Sequence, residues 1–276
     1  MYTDFIVRHF GVGVNLRNLR IRKNSLVSTP ELRLIQKQMN PPLYDAHAHL
    51  PEKYLHTPHS HHSVINGTSP ADWSAVLELS RKDSRALPAI GLHPQQVQRA
   101  PDNWKATFLQ FLNNDSVSAI GEIGLDRRNP QGDIERQLDA FSWQLEQAHA
   151  RNLPVSIHCL KAVGLLMDTL RNQHLPTRGI HLHAYNGPVE LIAELSEIGA
   201  YFSFNAKQLE PASPKVISRI RAIPIQRLLI ETDLAYNDNS SQLHKCYATV
   251  ARIRELRLEA FAEQVAVNFE HYFLNH

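Results

Sequence analysis

Histidine and carboxylate residues recur at the ends of short apolar runs in this sequence. In YDAHAHL, residues 44–50, His47 and His49 are separated by one residue, and a β-strand would place such a pair on one face. Later runs contain or end in further residues of this kind: His93, Glu122, His158, His181, His183, Glu231 and Asp233. Imidazole and carboxylate groups are common ligands of divalent metal ions. The pattern predicts a metal site if the fold brings these runs together.

The runs themselves predict the fold. Eight short β-rich runs alternate with longer stretches of helical period, at residues 43–49, 63–69, 87–93, 117–124, 154–159, 179–184, 200–204 and 227–233. Regular alternation of this kind predicts an α/β protein with a parallel sheet covered by helices, and eight repeats predict a (β/α)8 TIM barrel. An open doubly wound sheet is the alternative, but no strand is followed by the Gly-rich loop of a nucleotide-binding site.

A barrel would collect these polar side chains at one place, because its strands all end at the same face. Taken singly, a histidine or an acid at a strand end has an ordinary explanation as a hydrogen-bonded structural residue or a helix cap. Several of them on different strands, each beside apolar residues, favour a metal site instead. The loop residues His59, His61 and His62 lie among prolines and serines, and we expect them to be solvated.

Composition narrows the class of protein. The chain has 276 residues, 43% of them hydrophobic, and a net charge of +2. Residues 41–276 carry 22 basic and 25 acidic groups, a net of −3, which argues against a generally basic nucleic-acid binder. We expect no membrane helix, because no apolar run approaches the roughly 20 residues that one needs. Two cysteines give no disulfide framework, so we expect a reducing compartment, the cytoplasm.

Residues 1–42 read as a basic N-terminal extension to a barrel domain of residues 43–276. The first 40 residues carry seven basic and two acidic groups and show no clean periodicity. Three interpretations stay open: a start upstream of the true first residue, Met39; a flexible or disordered basic arm; or an organelle-targeting peptide, since the segment is Arg-rich and acid-poor.

The motifs resemble one family. YDAHAHL, AIGLHP, AIGEIGLD, LPVSIHC, HLHAYNG and LLIETD occur in the order typical of the TatD family of metal-dependent deoxyribonucleases, in the amidohydrolase superfamily. GEIGLD together with ETD distinguishes this family from other amidohydrolases. The resemblance covers residues 43 to about 273, and the N-terminal 40 residues have no counterpart in it.

The resemblance implies a centre of two divalent ions, of Zn, Mn, Mg or Co. His47 and His49 would bind one ion, His158 and His183 the other, and Glu122 would bridge them. Asp233 would hold the first ion and take a proton from the attacking water, so Asp233 and Glu122 are the expected catalytic residues. His93 would approach the substrate's phosphate. His181 is an added histidine, which we expect to be structural and to lie one layer deeper.

The resemblance is weaker around the substrate. HCLKA stands where the family often has Cys-Arg-Asp, and Lys161 would supply the lost positive charge. Arg127, Arg128 and Lys207 are further candidates to hold a phosphate chain. We expect a monomer that cleaves single-stranded DNA or a strand end, or a small phosphoester. Two alternatives stay open: a metallohydrolase of the same fold that acts on a small ester or amide, and a metal-binding barrel without enzymatic activity.

Overall fold

The computed structural model describes residues 42–51, 61–113, 117–128, 132–236 and 240–274. In these residues eight parallel strands follow one another around a single sheet in chain order. They are β1 (Tyr44–Ala48), β2 (His62–Asn66), β3 (Ala86–Ile90), β4 (Ala119–Asp126), β5 (Val155–Leu160), β6 (Ile180–Leu182), β7 (Ala200–Phe204) and β8 (Leu228–Ile230). Each strand pairs in parallel with the next along the chain. The predicted (β/α)8 barrel is confirmed.

The last strand returns to the first through the residues that follow β8. The amide of Asp233 donates to the carbonyl of His47 at 2.9 Å, and the amide of His49 donates to the carbonyl of Leu234 at 2.9 Å. The Asp45 carboxylate adds two bonds across this seam, from the amide of Thr232 at 2.9 Å and from its hydroxyl at 2.6 Å. These bonds therefore join the first and last edges of the sheet at the level of the predicted metal ligands.

Helices cover the outside of the barrel. They are α1 (Trp73–Lys82), α2 (Trp104–Leu112), α3 (Ile134–Arg151), α4 (Val163–Asn172), α5 (Ile192–Glu197), α6 (Ala206–Leu209), α7 (Pro214–Ala222), α8 (Ser240–Ile253) and α9 (Leu258–Phe269). Short 3₁₀ helices lie at Pro94–Arg99, Val189–Leu191 and Ile225–Arg227, and a π turn follows α9 at Glu270–Leu274. Both faces of most strands are buried, as parallel sheets covered by helices require.

The aromatic side chains of the last helical segment close the bottom of the barrel. The hydroxyl of Tyr272 donates to the carbonyl of Val155 at 2.8 Å and accepts from its amide at 2.9 Å. Phe269, Tyr272 and Phe273 are at most 1% exposed and pack with Tyr44 of β1. Side chains fill this end, so the opposite end, where the strands terminate, is the end left for a site.

The histidines predicted to be solvated differ in their surroundings. His62 is not a solvated loop residue: it opens β2, is half-buried, and stacks on Tyr44 with ring centroids 6.0 Å apart. His61 is exposed, while His59 and residues 1–41 lie outside the described residues.

In the described part of the chain, no helix combines the length and apolarity that crossing a bilayer demands.

A substitution at Gly124 on β4 would test how closely β4 and β5 approach each other beneath the site. Its φ is +133°, and a Cβ there would lie 2.0 Å from the carbonyl oxygen of His158. We expect Gly124→Ala to lower the free energy of unfolding by about 2–4 kcal/mol, from overpacking and backbone strain. The measurement is urea unfolding followed by circular dichroism.

Gly164→Ala is the matched control. A Cβ at Gly164, in α4, would meet no atom within 4 Å. This substitution should raise the free energy of unfolding by about 0.5–1 kcal/mol, because Gly is a poor residue inside a helix. A Gly124→Ala variant as stable as the wild type would contradict the packing described for β4 and β5.

Candidate metal centre

The carboxylate of Glu122 lies among the histidines at the carboxyl-terminal face of the barrel. Glu122 stands on β4, and 5% of its side chain is exposed. Its two oxygens face two different groups of histidines. Oε2 faces the two histidines of the β1 segment, and Oε1 faces histidines from the segments of β3, β5 and β6.

His47 and His49 form the first group. Their Nε2 atoms lie 3.6 and 3.7 Å from Oε2 of Glu122. The His47 side chain is fully buried, and the His49 side chain is 30% exposed. These separations are too long for hydrogen bonds to the carboxylate. They leave room for one cation about 2 Å from each ligand atom.

His158 and His183 form the second group. Nδ1 of His158 and Nε2 of His183 each lie 2.9 Å from Oε1 of Glu122, and the two nitrogens are 3.2 Å apart. His93 lies closer to this group than the sequence interpretation placed it, with Nε2 3.3 Å from the same oxygen. Its Nδ1 accepts from the amide of Gln95 at 3.1 Å. His93 is therefore within reach of an ion as well as of a substrate.

Asp233 completes the first group. It follows β8 with a φ of +54°, a conformation held by the seam to β1. Oδ1 lies 3.3 Å from Nε2 of His49. Oδ2 lies 3.3 Å from Nζ of Lys207 and 3.4 Å from Nδ2 of Asn205. The carboxylate is 20% exposed, so it faces both the histidines and the solvent.

The charges of the cluster are strongly perturbed. Burial would raise the pKa of Glu122, but His183, His158 and His47 hold that pKa well below its ordinary value. Burial opposes charge on His183, yet Glu122 and Glu231 raise its pKa well above the ordinary value. Burial would also raise the pKa of Asp233, but His49 and other cationic neighbours lower it. The carboxylates thus stay ionised and attract positive charge.

An orphaned buried atom supports the fit of a cation to this arrangement. Nε2 of His47 faces Glu122 and is buried without a hydrogen-bond partner, which is costly unless another group satisfies it. Three overlapping groups of side chains could each hold an ion, because the ligand atoms within each group lie within 4.8 Å of one another. These are His47, His49 and Glu122; His93, Glu122 and His158; and His47, His183 and Glu231. Imidazoles with carboxylates suit Zn²⁺ and similar ions.

Sequence reasoning gave Asp126 no role, although the residue stands in GEIGLD. Its side chain is 2% exposed, and Oδ2 lies 3.2 Å from Nε2 of His158. It also accepts from Arg128 at 2.6 Å and from Gln95 at 2.8 Å. A ring nitrogen that donates to a carboxylate leaves the other nitrogen free to bind a metal. The four-residue spacing from Glu122, which places both acids on one face of a strand, was the signal that could have identified Asp126.

The residues predicted to bind the substrate differ in their exposure and in their partners. Lys161 is exposed, has a φ of +55°, and lines a cavity of about 100 Å³ with His183 and Tyr185. Arg127 is exposed. Arg128 is also exposed, and its guanidinium pairs with Asp126. Lys207 reaches Asp233.

The fold and the site define a metal-dependent hydrolase of the (β/α)8 barrel class. Residues 44–274 match the model of one family, described as TatD related DNase. The chain belongs to this family, and the resemblance inferred from the motifs is confirmed.

Relatives agree with this assignment. The chain is 24% identical over 251 residues to YabD, a metal-dependent hydrolase of Bacillus subtilis, covering 84% of this chain and 98% of the relative. It is 28% identical over 174 residues to a 3'-5' ssDNA/RNA exonuclease TatD of Escherichia coli, covering 63% of this chain and 67% of the relative. The crystal structure of YJJV from Escherichia coli has the same fold, with a TM-score of 0.76 at 22% identity over 85% of this chain and 98% of that one.

A substitution at Asp126 would test the electrostatic interaction between its carboxylate and His158. Burial would raise the pKa of this carboxyl, but His158 and Arg128 hold it well below its ordinary value. A lowered pKa in the folded chain means stability that is present above about pH 4 and lost as the pH falls below it. We expect Asp126→Asn to destabilise the metal-free protein by about 2–3 kcal/mol at neutral pH.

The difference between wild type and Asp126→Asn should shrink as the pH falls below about 4, because Asp126 then takes up a proton in the unfolded chain before it does so in the folded chain. Urea unfolding at several pH values measures it. Asp139→Asn is the control, since that exposed carboxylate pairs with Lys105 at the surface and should change stability by less than about 1 kcal/mol. A constant difference across the pH range would contradict the role of Asp126 charge.

Proposed function

We propose that this chain is a nuclease that hydrolyses phosphodiester bonds near an end of single-stranded DNA, using two divalent ions. Zn²⁺, Mn²⁺, Mg²⁺ and Co²⁺ are the candidate ions. One observation carries the proposal: the two oxygens of Glu122 face two separate histidine pairs, one of them completed by Asp233. When bound, a pair of ions about 3.5–4 Å apart activates water and neutralises charge at the phosphate in such hydrolases.

Side chains of the cluster would hold the two ions and accept the proton of the attacking water. His47, His49 and Asp233 would hold the first ion, His158 and His183 the second, and Glu122 both. Asp233 is ionised and reaches solvent, so it can accept the proton of the attacking water and release it. His49 contributes most to the lowered pKa of Asp233, and Lys207, with its side chain 72% exposed, adds to this effect from the open side of the site.

Side chains around the centre would hold the substrate. His93 would meet the phosphate that is cleaved, and Arg127 and Lys161 would meet its neighbours. Asp126 and Arg128 also line an open polar cavity of about 400 Å³ between the Pro94–Arg99 helix and α3, together with Pro94, Gln95, Gln96, Gln98, Arg99, Gly132 and Gln137. Guanidinium and amide groups suit the backbone of a strand that extends from the cleavage site.

Several features favour a single strand or its end as the substrate. Residues 41–276 are not basic overall, so a long duplex track is not expected. The relative from Escherichia coli is named for 3'-5' activity on ssDNA and RNA, which supports action at a strand end.

We further propose that residues 43–276 act as a monomeric catalytic domain with a basic extension at 1–42. The cysteines Cys159 and Cys246 are both free, which supports a cytoplasmic location.

The test is cleavage of end-labelled single-stranded DNA and RNA by the metal-loaded protein, beside a simple carboxylic ester and an amide. Wild type should shorten the DNA from one end. We expect Asp233→Asn to lower the rate about 10²–10⁴-fold, the usual contribution of a positioned general base. Asp168→Asn, which changes an exposed carboxylate on α4, is the control and should keep the wild-type rate.

Each other outcome would count against the nuclease proposal. Hydrolysis of the ester or amide with the oligonucleotides left intact would assign the same centre to a different substrate. Metal binding without any hydrolysis would favour a non-enzymatic barrel. Full activity in Asp233→Asn would remove this residue from the proton transfer.

A further inference from the structure

His181 has no place in the proposed chemistry, yet it is completely buried beneath the metal centre. It lies on β6, two residues before His183, so both side chains point into the barrel. Nε2 of His181 lies 2.6 Å from the hydroxyl of Ser203, and Nδ1 lies 3.4 Å from the hydroxyl of Ser156. Both ring nitrogens therefore contact hydroxyl groups on the neighbouring strands, β5 and β7.

The two serines extend this contact into a longer chain of hydrogen bonds. The Ser156 hydroxyl lies 2.8 Å from Nδ1 of His47, and the Ser203 hydroxyl donates to Oε2 of Glu231. The path thus crosses the barrel interior from β1 to the residue that follows β8. All five residues are fully buried. We call this chain the relay; it consists of His47, Ser156, His181, Ser203 and Glu231.

The chemistry of the groups fixes the direction of the relay. The carboxylate can only accept, so the Ser203 hydroxyl donates to Glu231 and its oxygen is left to accept from Nε2 of His181. A neutral imidazole has one donor, so Nδ1 of His181 accepts from Ser156. The Ser156 oxygen then accepts from Nδ1 of His47. His47 is left with a lone pair on Nε2, the atom that faces Glu122.

Glu231 also reaches the second histidine group. Its other oxygen, Oε1, lies 3.5 Å from Nδ1 of His183 and accepts from Nδ2 of Asn205 at 3.2 Å. One buried carboxylate therefore faces Nδ1 of His183 directly and is linked to Nδ1 of His47 through the relay. In both histidines this contact lies on the ring nitrogen opposite the one that faces Glu122.

We propose that His181 is a positioning residue: through the relay it fixes the tautomer and orientation of His47 so that Nε2 can bind the first ion. This inference rests on the two-ion centre of the proposed function. Outer partners of metal-bound histidines commonly contribute 10- to 100-fold in metal affinity, about the size of effect expected here. The second site keeps its direct contact between Glu231 and His183, so it does not depend on His181.

Packing is the competing explanation. The His181 ring lies 6.4 Å from the ring of Tyr272 and 6.0 Å from that of Phe273, and an apolar side chain would fill the same space. His181→Leu keeps the volume and removes both polar contacts. His181→Gln keeps a donor and an acceptor on one side chain. A packing role predicts that the two variants behave alike, and the relay predicts that they differ.

The experiment is a titration of chelator-treated full-length protein with Co²⁺ or Zn²⁺ by isothermal calorimetry, after thermal unfolding has shown that each variant folds. His49→Ala identifies the first site and His158→Ala the second. We expect His181→Leu to weaken the first site about 10- to 100-fold and the second less than about threefold. His181→Gln should restore the first site to within about threefold of wild type.

Ser156→Ala is a second route to the same test if His181→Leu does not fold. It breaks the relay next to His47 and should weaken the first site in the same way. Unchanged affinity, equal loss at both sites, or no recovery in His181→Gln would overturn the proposal and leave His181 with a packing role. A wild-type protein that binds no ion would refute the metal centre itself, which is a distinguishable result.

Discussion

The site depends on one buried carboxylate placed among histidines. Glu122 is nearly inaccessible to solvent, and no lysine or arginine side chain pairs with it in the described part of the chain. A buried charge is tolerated when other charges and hydrogen bonds compensate it. Burial opposes charge on His49, His158 and His183, but the neighbouring carboxylates raise the pKa of each, so these three histidines provide the compensation when no ion is present. Metal ions would provide it better. The same electrostatic demand explains the second carboxylates, Asp126 and Glu231, which lie behind the histidines.

The barrel supplies the geometry that this cluster needs. Parallel strands in chain order bring the ends of β1, β4, β5 and β6 to one face, although their residues are far apart in the sequence. The seam between Asp45 and Thr232 adds the segment that carries Asp233. Aromatic side chains fill the other end of the barrel. Stability and chemistry are thereby separated along the barrel axis, so the ligands can be polar without weakening the core.

The sequence predicted the fold and the group of residues around Glu122, because periodicity and strand-end chemistry are local signals. It could not predict the partners behind the ligands. The contact of Asp126 with His158 exists only because β4 and β5 pair, and the link between Ser156 and Ser203 exists only because His181 lies between two strands. Arg128 shows the same limit, because its sequence position does not reveal that its guanidinium pairs with Asp126. His62 was assigned to a loop because its neighbours are polar.

In the proposed function, Glu122 bridges two ions held by separate histidine pairs. The most direct test is a crystal structure of the protein grown with Zn²⁺ or Mn²⁺, in which anomalous scattering locates the ions. A bridging Glu122 predicts two peaks about 3.5–4 Å apart, one beside His47 and His49 and one beside His158 and His183, with a Glu122 oxygen on each. A single peak, or ions that do not contact Glu122, would contradict it.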